Sequence, residues 1–253
     1  MYLKRVLVLL SVLISVEFWS CSSTKEVFAP SAEGFFRRGM ELYNKGDYVK
    51  AKDDFDIVIK QFPASEYADS AQFFLAQTYY KRGEYLTAAF EFENVSRNYP
   101  TSRLLPEARY NIALCYAARS PRPQLDQENT KKAIEAFQMF IDYYPTSKLV
   151  NDAEKQIQEL RNKLAKKNLE IAQLYYTMGY YKAAIIYYDV ILNEYHDSDV
   201  ADQAALGKVR ALLERHRPND ARAALEKFYT MFPNSKLRSD ADKLAEGLQL
   251  SMK

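Results

Sequence analysis

The hydrophobic and polar positions of the chain recur in five copies of one pattern. Each copy starts with an alanine; an aromatic residue or leucine follows four positions later, an aromatic residue eleven positions later, and a second alanine twenty positions later. A proline stands at position twelve in every copy but the fourth, which has His196, and a serine stands two positions further on. Agreement at this many offsets predicts a repeat array. The starting alanines are Ala51, Ala88, Ala133, Ala184 and Ala221.

The recurring residues predict pairs of helices. Proline ends a helix because it lacks an N–H group, and the serine that follows is a favoured N-cap for the next helix. Gly46, Gly83 and Gly179 lie five positions before a starting alanine, which predicts the turn within a pair. The alanines allow close helix approach, and the aromatic residues fill the space beside them. The units resemble tetratricopeptide repeats, so the predicted fold class is all-α, a tetratricopeptide-repeat solenoid of five helix–turn–helix repeats.

Two irregular spacings divide the array. Residues 120–126 form an inserted loop in the third repeat, which lengthens the distance between the second and third starting alanines. Residues 146–178 contain neither glycine nor proline and keep helical apolar spacing, which predicts one continuous connecting helix of about 30 residues. The predicted boundaries are 33–146 for repeats 1–3, 147–178 for the long connecting helix, and 179–253 for repeats 4–5 with a capping helix.

The first residues of the chain are typical of a bacterial lipoprotein signal. Lys4 and Arg5 precede an apolar run that is too short to cross a bilayer, and the stretch that ends at Cys21 resembles a lipoprotein cleavage box. We therefore predict a signal peptide over 1–20, a lipidated tether over 21–32, and lipid attachment at Cys21, which anchors the protein to the outer membrane. Ordinary secretion with an unpaired Cys21 remains the alternative.

Charge and motif content exclude several function classes. The chain has 35 Lys and Arg against 33 Asp and Glu, so it lacks the cationic surplus of a nucleic-acid-binding protein. It has no glycine-rich phosphate loop, and His196 and His216 lack metal-ligand spacing, so we expect no cofactor and no metal site. No nucleophile lies near a base, so we expect no catalytic residue. An enzyme with its site in the groove is the least favoured alternative.

Three further features are open to two interpretations each. The cluster Asp53, Asp54 and Asp56 suggests either a cation site or a solvated helix face, and the helix face is favoured because no calcium-loop spacing follows. The basic run over 163–167 either faces water or contacts a partner. Cys115 lies in an apolar helical pattern, so we interpret it as a small buried residue without a disulfide.

Aromatic residues are more numerous than the repeat pattern requires, with 20 tyrosines and 14 phenylalanines. In repeat arrays, surplus aromatic side chains on the first helices line the concave face, where extended peptides bind. Packing at the periphery is the alternative. The surplus residues of the first two repeats are Tyr43, Tyr48, Tyr67, Tyr79, Tyr80 and Tyr85.

The lipoprotein box, the five repeats, the long helix and the loop over 120–127 together resemble the BamD family, also known as YfiO or ComL. The loop is similar to that of Bacteroidetes-type members, and the resemblance covers essentially the whole chain. It implies a non-catalytic lipoprotein of the β-barrel assembly machinery on the periplasmic face of the outer membrane. A lipoprotein adaptor of the Tol–Pal or peptidoglycan synthesis systems would share the signal and the repeats and is the alternative.

The resemblance also implies two binding halves. Repeats 1–3 would receive the targeting strand of unfolded outer-membrane β-barrel proteins, and repeats 4–5 would bind the POTRA domains of BamA together with other subunits. Tyr48, Phe62 and Pro63 fall on positions implicated in client recognition, whereas Val49 and Tyr187 stand where relatives have basic residues. With the surplus aromatics added, the predicted client site is Tyr43, Tyr48, Phe62, Pro63, Tyr67, Tyr80 and Tyr85. The predicted BamA site in repeats 4–5 is Tyr180, Tyr181, Tyr187, Arg210 and Arg215.

Overall fold

A computed structural model describes residues 31–250, with side chains as far as Leu248. The predicted signal peptide and Cys21 lie outside the described residues. Within them the chain forms eleven helices and no strand. These are α1 (Ala32–Asn44), α2 (Tyr48–Gln61), α3 (Ala68–Lys81), α4 (Tyr85–Asn98), α5 (Leu105–Ala118), α6 (Glu128–Tyr143), α7 (Val150–Thr177), α8 (Tyr181–Glu194), α9 (Ala201–Glu214), α10 (Pro218–Met231) and α11 (Arg238–Leu250).

The helices pack in chain order, so that each contacts mainly the helix before it and the helix after it. The pairs α1/α2, α3/α4, α5/α6, α7/α8 and α9/α10 form five repeats, and α11 covers the end of the last one. The buried residues form five core clusters along the chain rather than one central core. This is the arrangement of a helical solenoid, in which each repeat is stabilised by its neighbours.

The recurring positions of the sequence form these core clusters. All five starting alanines are fully buried, and the alanines twenty positions later are at most 1% exposed. The side chains at the fourth position are also buried, from Phe55 at 0% to Leu225 at 4%. Small residues on one helix therefore lie against large residues on the next, which gives the dense packing expected of helix pairs.

The turns within the repeats have the predicted geometry. Gly46, Gly83 and Gly179 have φ angles of +79°, +79° and +77°, in the left-handed region that favours glycine. His216 occupies the same place in the fifth repeat with a φ of +54°, and its backbone N–H donates to the carbonyl of Leu213. The fifth repeat thus makes the same turn with a residue that is strained in this conformation.

The recurring serines are not themselves the N-cap residues, although the hydroxyls of Ser102, Ser147 and Ser235 accept from the backbone N–H two positions later, at 3.1, 3.3 and 3.0 Å. The helices that follow begin three residues after the serine, so the serine lies inside a tight turn, where its carbonyl accepts from the first residue of the helix. Ser102 and Ser235 also connect repeats, because their hydroxyls donate to Asp69 and Asp202 at 2.7 and 2.6 Å. Each of these aspartates lies in the first turn of an earlier helix, so the bonds join consecutive loops.

The long helix α7 spans 28 residues and belongs to both halves of the array. Its first part contributes Ala153 and Leu160 to the core cluster of the third repeat. Its second part contributes Ala165, Leu169 and Ala172 to the cluster of the fourth repeat. From Ala153 to the turn glycine Gly179 is 26 positions, against 12 from Ala71 to Gly83, so α7 is a first helix lengthened by 14 residues.

Two loops hold the middle of α7. The Nζ atoms of Lys163 and Lys167 donate to the Ser120 hydroxyl and the Leu125 carbonyl, both at 2.7 Å, which fixes the inserted loop to the helix. On the other side, Arg161 donates to the Glu194 carbonyl at 2.7 Å and to the Asp197 carboxylate at 2.9 Å. The basic run over 163–167 therefore binds this chain's own loop, and the expectation that it faces water or a partner is wrong for two of its lysines.

The acidic cluster on α2 has a structural explanation as well. Asp54 is 3% exposed and accepts two bonds from the guanidinium of Arg38 on α1, one of them from Nε at 2.7 Å. Asp53 and Asp56 accept from Lys52. A solvated face is thus the wrong interpretation for Asp54, whose carboxylate is an ion-pair partner between two helices.

Candidate partner and peptide surfaces

The predicted client tyrosines lie mostly in pairs that close the turns. Tyr43 and Tyr48 contact edge to face with ring centroids 5.5 Å apart, and Tyr80 and Tyr85 do so at 5.2 Å, both with an interplanar angle of 64°. The same pair occurs in the fourth repeat, where Tyr176 and the predicted partner residue Tyr181 are 5.3 Å apart at 64°. These tyrosines stand eight and three positions before the starting alanine, so they are a repeat feature and all are half-buried.

The other predicted client residues lie at the opposite end of the first repeat. The Tyr67 ring lies 5.5 Å from Phe36, and the Phe62 ring lies 6.3 Å from Phe35, next to the exposed Pro63. Phe35 and Phe36 start α1, whereas Tyr43 ends it. The seven predicted residues therefore form two groups at opposite ends of the helices rather than one site.

Phe74 on α3 joins the two groups and was missed from the sequence. Its ring lies 5.6 Å from Tyr43 and 6.2 Å from Phe36, and it stacks on the buried Phe55 at 6.1 Å. Phe74 falls outside the recurring offsets, so the repeat pattern gave no signal for it. Aromatic residues of the first repeat are thus largely used for packing against one another.

The first helices of repeats 2 and 3, with α7, form an inner face that holds a shallow pocket. Gln77 on α3 donates to Asn111 on α5 at 2.9 Å across this face. The pocket has a volume of about 340 Å³, and Tyr80 lines it together with Leu114, Gln156 and Lys163. The predicted client residue Tyr80 thus lies at a pocket between the first helices of different repeats.

The turn between α7 and α8 presents a pocket and exposed apolar side chains at the surface. A pocket of about 650 Å³ lies at the turn between α7 and α8, and its walls are mainly apolar. Three of the predicted partner residues, Tyr180, Tyr181 and Arg215, line it with Tyr175 and Ile186. Tyr180 is 58% exposed and Ile186 is 56% exposed. We call this pocket and its rim the turn patch; its residues are Tyr175, Met178, Tyr180, Tyr181, Ile186 and Arg215.

The remaining predicted partner residues lie beside or behind the turn patch. Tyr187 stacks on Tyr175 with centroids 5.6 Å apart and an interplanar angle of 20°, so it supports one wall of the pocket. Arg210 lies in a different groove, where its guanidinium is 3.5 Å from the Asp240 carboxylate. Four of the five predicted residues thus converge on one surface, and Arg210 does not.

The described residues show little that is suited to catalysis. From residue 31 to 248, no group of three or more His, Cys, Asp or Glu side chains is placed to hold a metal ion. Cys115 is fully buried, and this burial raises the pKa of its thiol to about 12, so the reactive thiolate is not formed near neutral pH. None of the helices described is both long enough and apolar enough to cross a membrane.

A family model described as "Outer membrane lipoprotein", YfiO, matches residues 29–215 of the chain. The match covers α1 to α9, the inserted loop and all of α7. This chain belongs to the YfiO family. The predicted resemblance is confirmed, and the family supports an outer-membrane location for the protein. YfiO proteins with such repeats are typically non-enzymatic scaffolds, and the family points to interactions with assembly-machinery proteins in general.

Solved structures with some similarity to this YfiO-family chain include three proteins. The TPR2AB domain–pHSP90 complex of yeast Sti1 is 17% identical with a TM-score of 0.46, over 87% of this chain and 84% of that chain. MamA protein is 17% identical with a TM-score of 0.36, over 80% and 92%. A thermophilic repeat protein of Thermus thermophilus, TTC0263, is 17% identical with a TM-score of 0.34, over 85% and 99%. No curated protein sequence matches the chain.

Proposed function

We propose that this YfiO-family chain is a non-catalytic lipoprotein of the β-barrel assembly machinery, anchored in the outer membrane through Cys21 and facing the periplasm. In this proposal repeats 4–5 bind the POTRA domains of BamA, and repeats 1–3 receive the targeting strands of unfolded outer-membrane proteins. The chain then acts as a scaffold that brings a client strand to the protein that inserts it.

The observation that carries the proposal is the turn patch. Met178, Tyr180 and Ile186 are each 55–58% exposed and lie within nine residues of one another around one turn. Solvent-exposed apolar groups of this size, clustered beside an apolar pocket, are typical of a protein–protein interface. Tyrosine and arginine are also the residue types that contribute most at such interfaces, and the pocket has both.

Client binding by repeats 1–3 rests on different features. A targeting strand of a β-barrel alternates apolar and polar residues and must be kept from pairing with other strands. The half-buried Tyr43, Tyr48, Tyr80 and Tyr85 expose part of each ring, and their T-shaped packing fixes the rings in place. Rings held in this way bind without a large loss of side-chain entropy.

The test is an affinity purification of the tagged, detergent-solubilised protein from its own envelope, read by mass spectrometry. We expect BamA as the dominant, salt-resistant partner of the wild type and at least a tenfold loss of BamA with the double variant Tyr180→Ser, Ile186→Ser. The matched control is Phe90→Ser, because Phe90 stands at the same repeat position as Ile186 and is similarly exposed, at 51%.

Two results would contradict the proposal. Recovery of Tol–Pal proteins or peptidoglycan synthases without BamA would favour the adaptor alternative. Equal loss of BamA with the control variant would show that the turn patch is not the binding surface.

A further inference from the structure

The loops between the first repeats lie along one edge of the array, and α1 begins at that edge. Consecutive helices run antiparallel, so α1, α3, α5 and α7 start on the side where α2, α4 and α6 end. The bond from Ser102 to Asp69 joins two consecutive loops there, and the rings of Phe35 and Phe62 lie 6.3 Å apart at the first loop. We call this side the loop edge. It consists of residues 60–67, 97–104 and 142–149.

The loop edge carries more basic than acidic side chains. Its three loops contain four basic and two acidic residues, which gives a net charge of +2. These are Lys60, Arg97, Arg103 and Lys148 against Glu66 and Asp142. Arg97, Arg103 and Lys148 are exposed, and none of the three forms an ion pair with another of the described residues. The equivalent loop of the fourth repeat, residues 193–200, has three acidic residues and no lysine or arginine, so the charge of the loops changes sign after the third repeat.

Apolar groups are exposed along the same edge. Tyr143 is 65% exposed at the end of α6, and the Arg109 guanidinium lies 4.7 Å from the centre of its ring. Pro63, Pro100 and Pro145 are also exposed, one in each loop. A tyrosine beside an arginine suits the headgroup layer of a membrane, because the ring has an apolar body with a polar tip and the guanidinium binds phosphate.

The predicted lipid attachment site is close to the loop edge along the chain. Cys21 is the anchor of the proposed function, on which this inference rests. Ten residues lead from Cys21 to Ser31, whose hydroxyl caps the start of α1. A chain of ten residues spans at most about 33–36 Å, so the lipid holds the start of α1 within that distance of the membrane.

The later repeats lie further from the membrane than the loop edge does. Val150 starts α7 at the loop edge, and Arg161 lies eleven residues beyond it, about 17 Å along the helix axis. Arg161 binds Asp197, so the acidic loop of the fourth repeat lies beside the middle of α7 rather than at its start. A membrane placed against the loop edge therefore meets repeats 1–3 and is separated from the acidic loop.

We propose that the loop edge of repeats 1–3 lies on the phospholipid headgroups of the membrane that holds the lipid anchor. Arg97, Arg103 and Lys148 contact lipid phosphates, and Tyr143 enters the headgroup layer. A net charge of +2 binds weakly by itself, but the anchor keeps the edge at the surface, so the second contact forms at a high effective concentration. The turn patch, at the far end of the 28-residue α7, is then directed away from the membrane.

The test uses the processed, lipidated protein in vesicles of phosphatidylethanolamine and phosphatidylglycerol that contain a lipid with a spin-labelled headgroup. A fluorophore is attached at one of two exposed threonines of the second repeat, through Thr101→Cys on the loop edge or Thr87→Cys beside the opposite turn. Cys115 stays unlabelled because it is fully buried. We expect at least threefold stronger quenching at position 101 than at position 87.

Charge reversal separates a lipid contact from mere proximity. Arg103→Glu together with Lys148→Glu should reduce the quenching at position 101 at least twofold, and added salt should reduce it in the wild type. The matched control, Lys45→Glu with Lys81→Glu, reverses two exposed lysines at the opposite turns and should leave the quenching unchanged.

Three results would overturn the proposal: equal quenching at the two positions, stronger quenching at position 87, or quenching at position 101 that the loop-edge charge reversal does not change. A protein that fails to float with the vesicles lacks the anchor, which contradicts the proposed function as well. BamA recovery in detergent should be the same for the wild type and the loop-edge variant, so the two proposals fail separately.

Discussion

The first and fourth repeats leave different amounts of apolar surface exposed at their turns. In the first repeat, Phe36, Tyr43, Phe55 and Phe74 contact one another, so their rings largely face protein. In the fourth repeat, Tyr180 and Ile186 remain more than half exposed around a large apolar pocket. Both of these repeats have the same alanine, aromatic and glycine positions. The recurring positions therefore determine the helix pairs. Residues at other positions determine whether a repeat packs its apolar side chains internally or exposes them to a partner.

The difference indicates where stability and binding reside. A repeat whose surplus aromatics pack inward gains core contacts, and one that exposes them keeps apolar area for a partner. The buried residues of the first core cluster lie on α2 and α3, so a substitution there should destabilise mainly the first repeat and its neighbour.

Phe55→Ala is expected to have the largest effect. The side chain is fully buried among aromatic rings, so its loss should lower the free energy of unfolding by about 3–5 kcal/mol. In hydrogen exchange, amides of α1–α3 should lose protection while those of α9–α11 keep theirs, because repeats are coupled mainly to neighbours. Leu225→Ala, at the same position of the fifth repeat, should give the reverse pattern. Uniform loss of protection in both variants would show one cooperative unit.

Gly207→Ala should destabilise the C-terminal half by about 1–2 kcal/mol. The new Cβ would overlap the Tyr188 ring, and this clash exceeds the gain in helix propensity from alanine. The measurement is the urea midpoint of unfolding. Tyr188→Leu in the same chain should restore part of the loss, because it removes the ring that clashes. A midpoint for Gly207→Ala equal to that of the wild type would show that α8 and α9 can separate without cost.

His216→Gly should stabilise the fifth repeat by about 0.5–1 kcal/mol. Glycine adopts the left-handed conformation without the strain that a side chain brings, although it costs entropy in the unfolded chain. The converse change in the N-terminal half, Gly83→Ala, should destabilise by about 1 kcal/mol, since φ is +79° and no neighbouring atom crowds the site. Thermal unfolding of both variants checks the pair, and equal shifts in the same direction would contradict it.

Acid should weaken the contact that joins α7 to the C-terminal half. The hydrogen bond from Arg161 lowers the pKa of Asp197, so the charged carboxylate stabilises the fold at pH values above its ordinary pKa of about 3.9. This stabilisation is lost as the pH falls through the lowered pKa of the folded state. Asp197→Asn should make stability depend less steeply on pH between about 4 and 2. Asp199→Asn, which removes a carboxylate bonded to Asn162 in the same loop, is the control.

The periodic features of the fold could be predicted from the sequence because each is local. The helix pairs, the turn glycines and α7 follow from spacings within a few dozen residues, and the helix boundaries differ by only a few positions. The tyrosine pairs at turns were also present in the sequence, at positions eight and three before the starting alanines of the first, second and fourth repeats, yet those of the first two repeats were counted as surplus. A comparison of those offsets between repeats would have identified them.

The missed features depend on contacts between distant parts of the chain. Nothing near Asp54 indicates that Arg38 lies across from it, and nothing near Lys163 indicates that the inserted loop reaches back to α7. The position of Arg210 in a different groove from Arg215 follows from the direction of α9, which spacing alone does not give. Such contacts are fixed by how the helices stack, so they become visible only in three dimensions.

The extra length of α7 also sets where the second half points. Fourteen residues advance a helix by about 21 Å and rotate it by about 1,400°, roughly 40° short of four whole turns. The insertion therefore acts as a spacer with almost no twist. It moves the last repeats along the axis of α7 and leaves their rotation about that axis nearly unchanged. Removing seven residues would halve the translation along α7 and preserve the rotation about its axis. Removing five would instead turn the later repeats by about 140° relative to the first three.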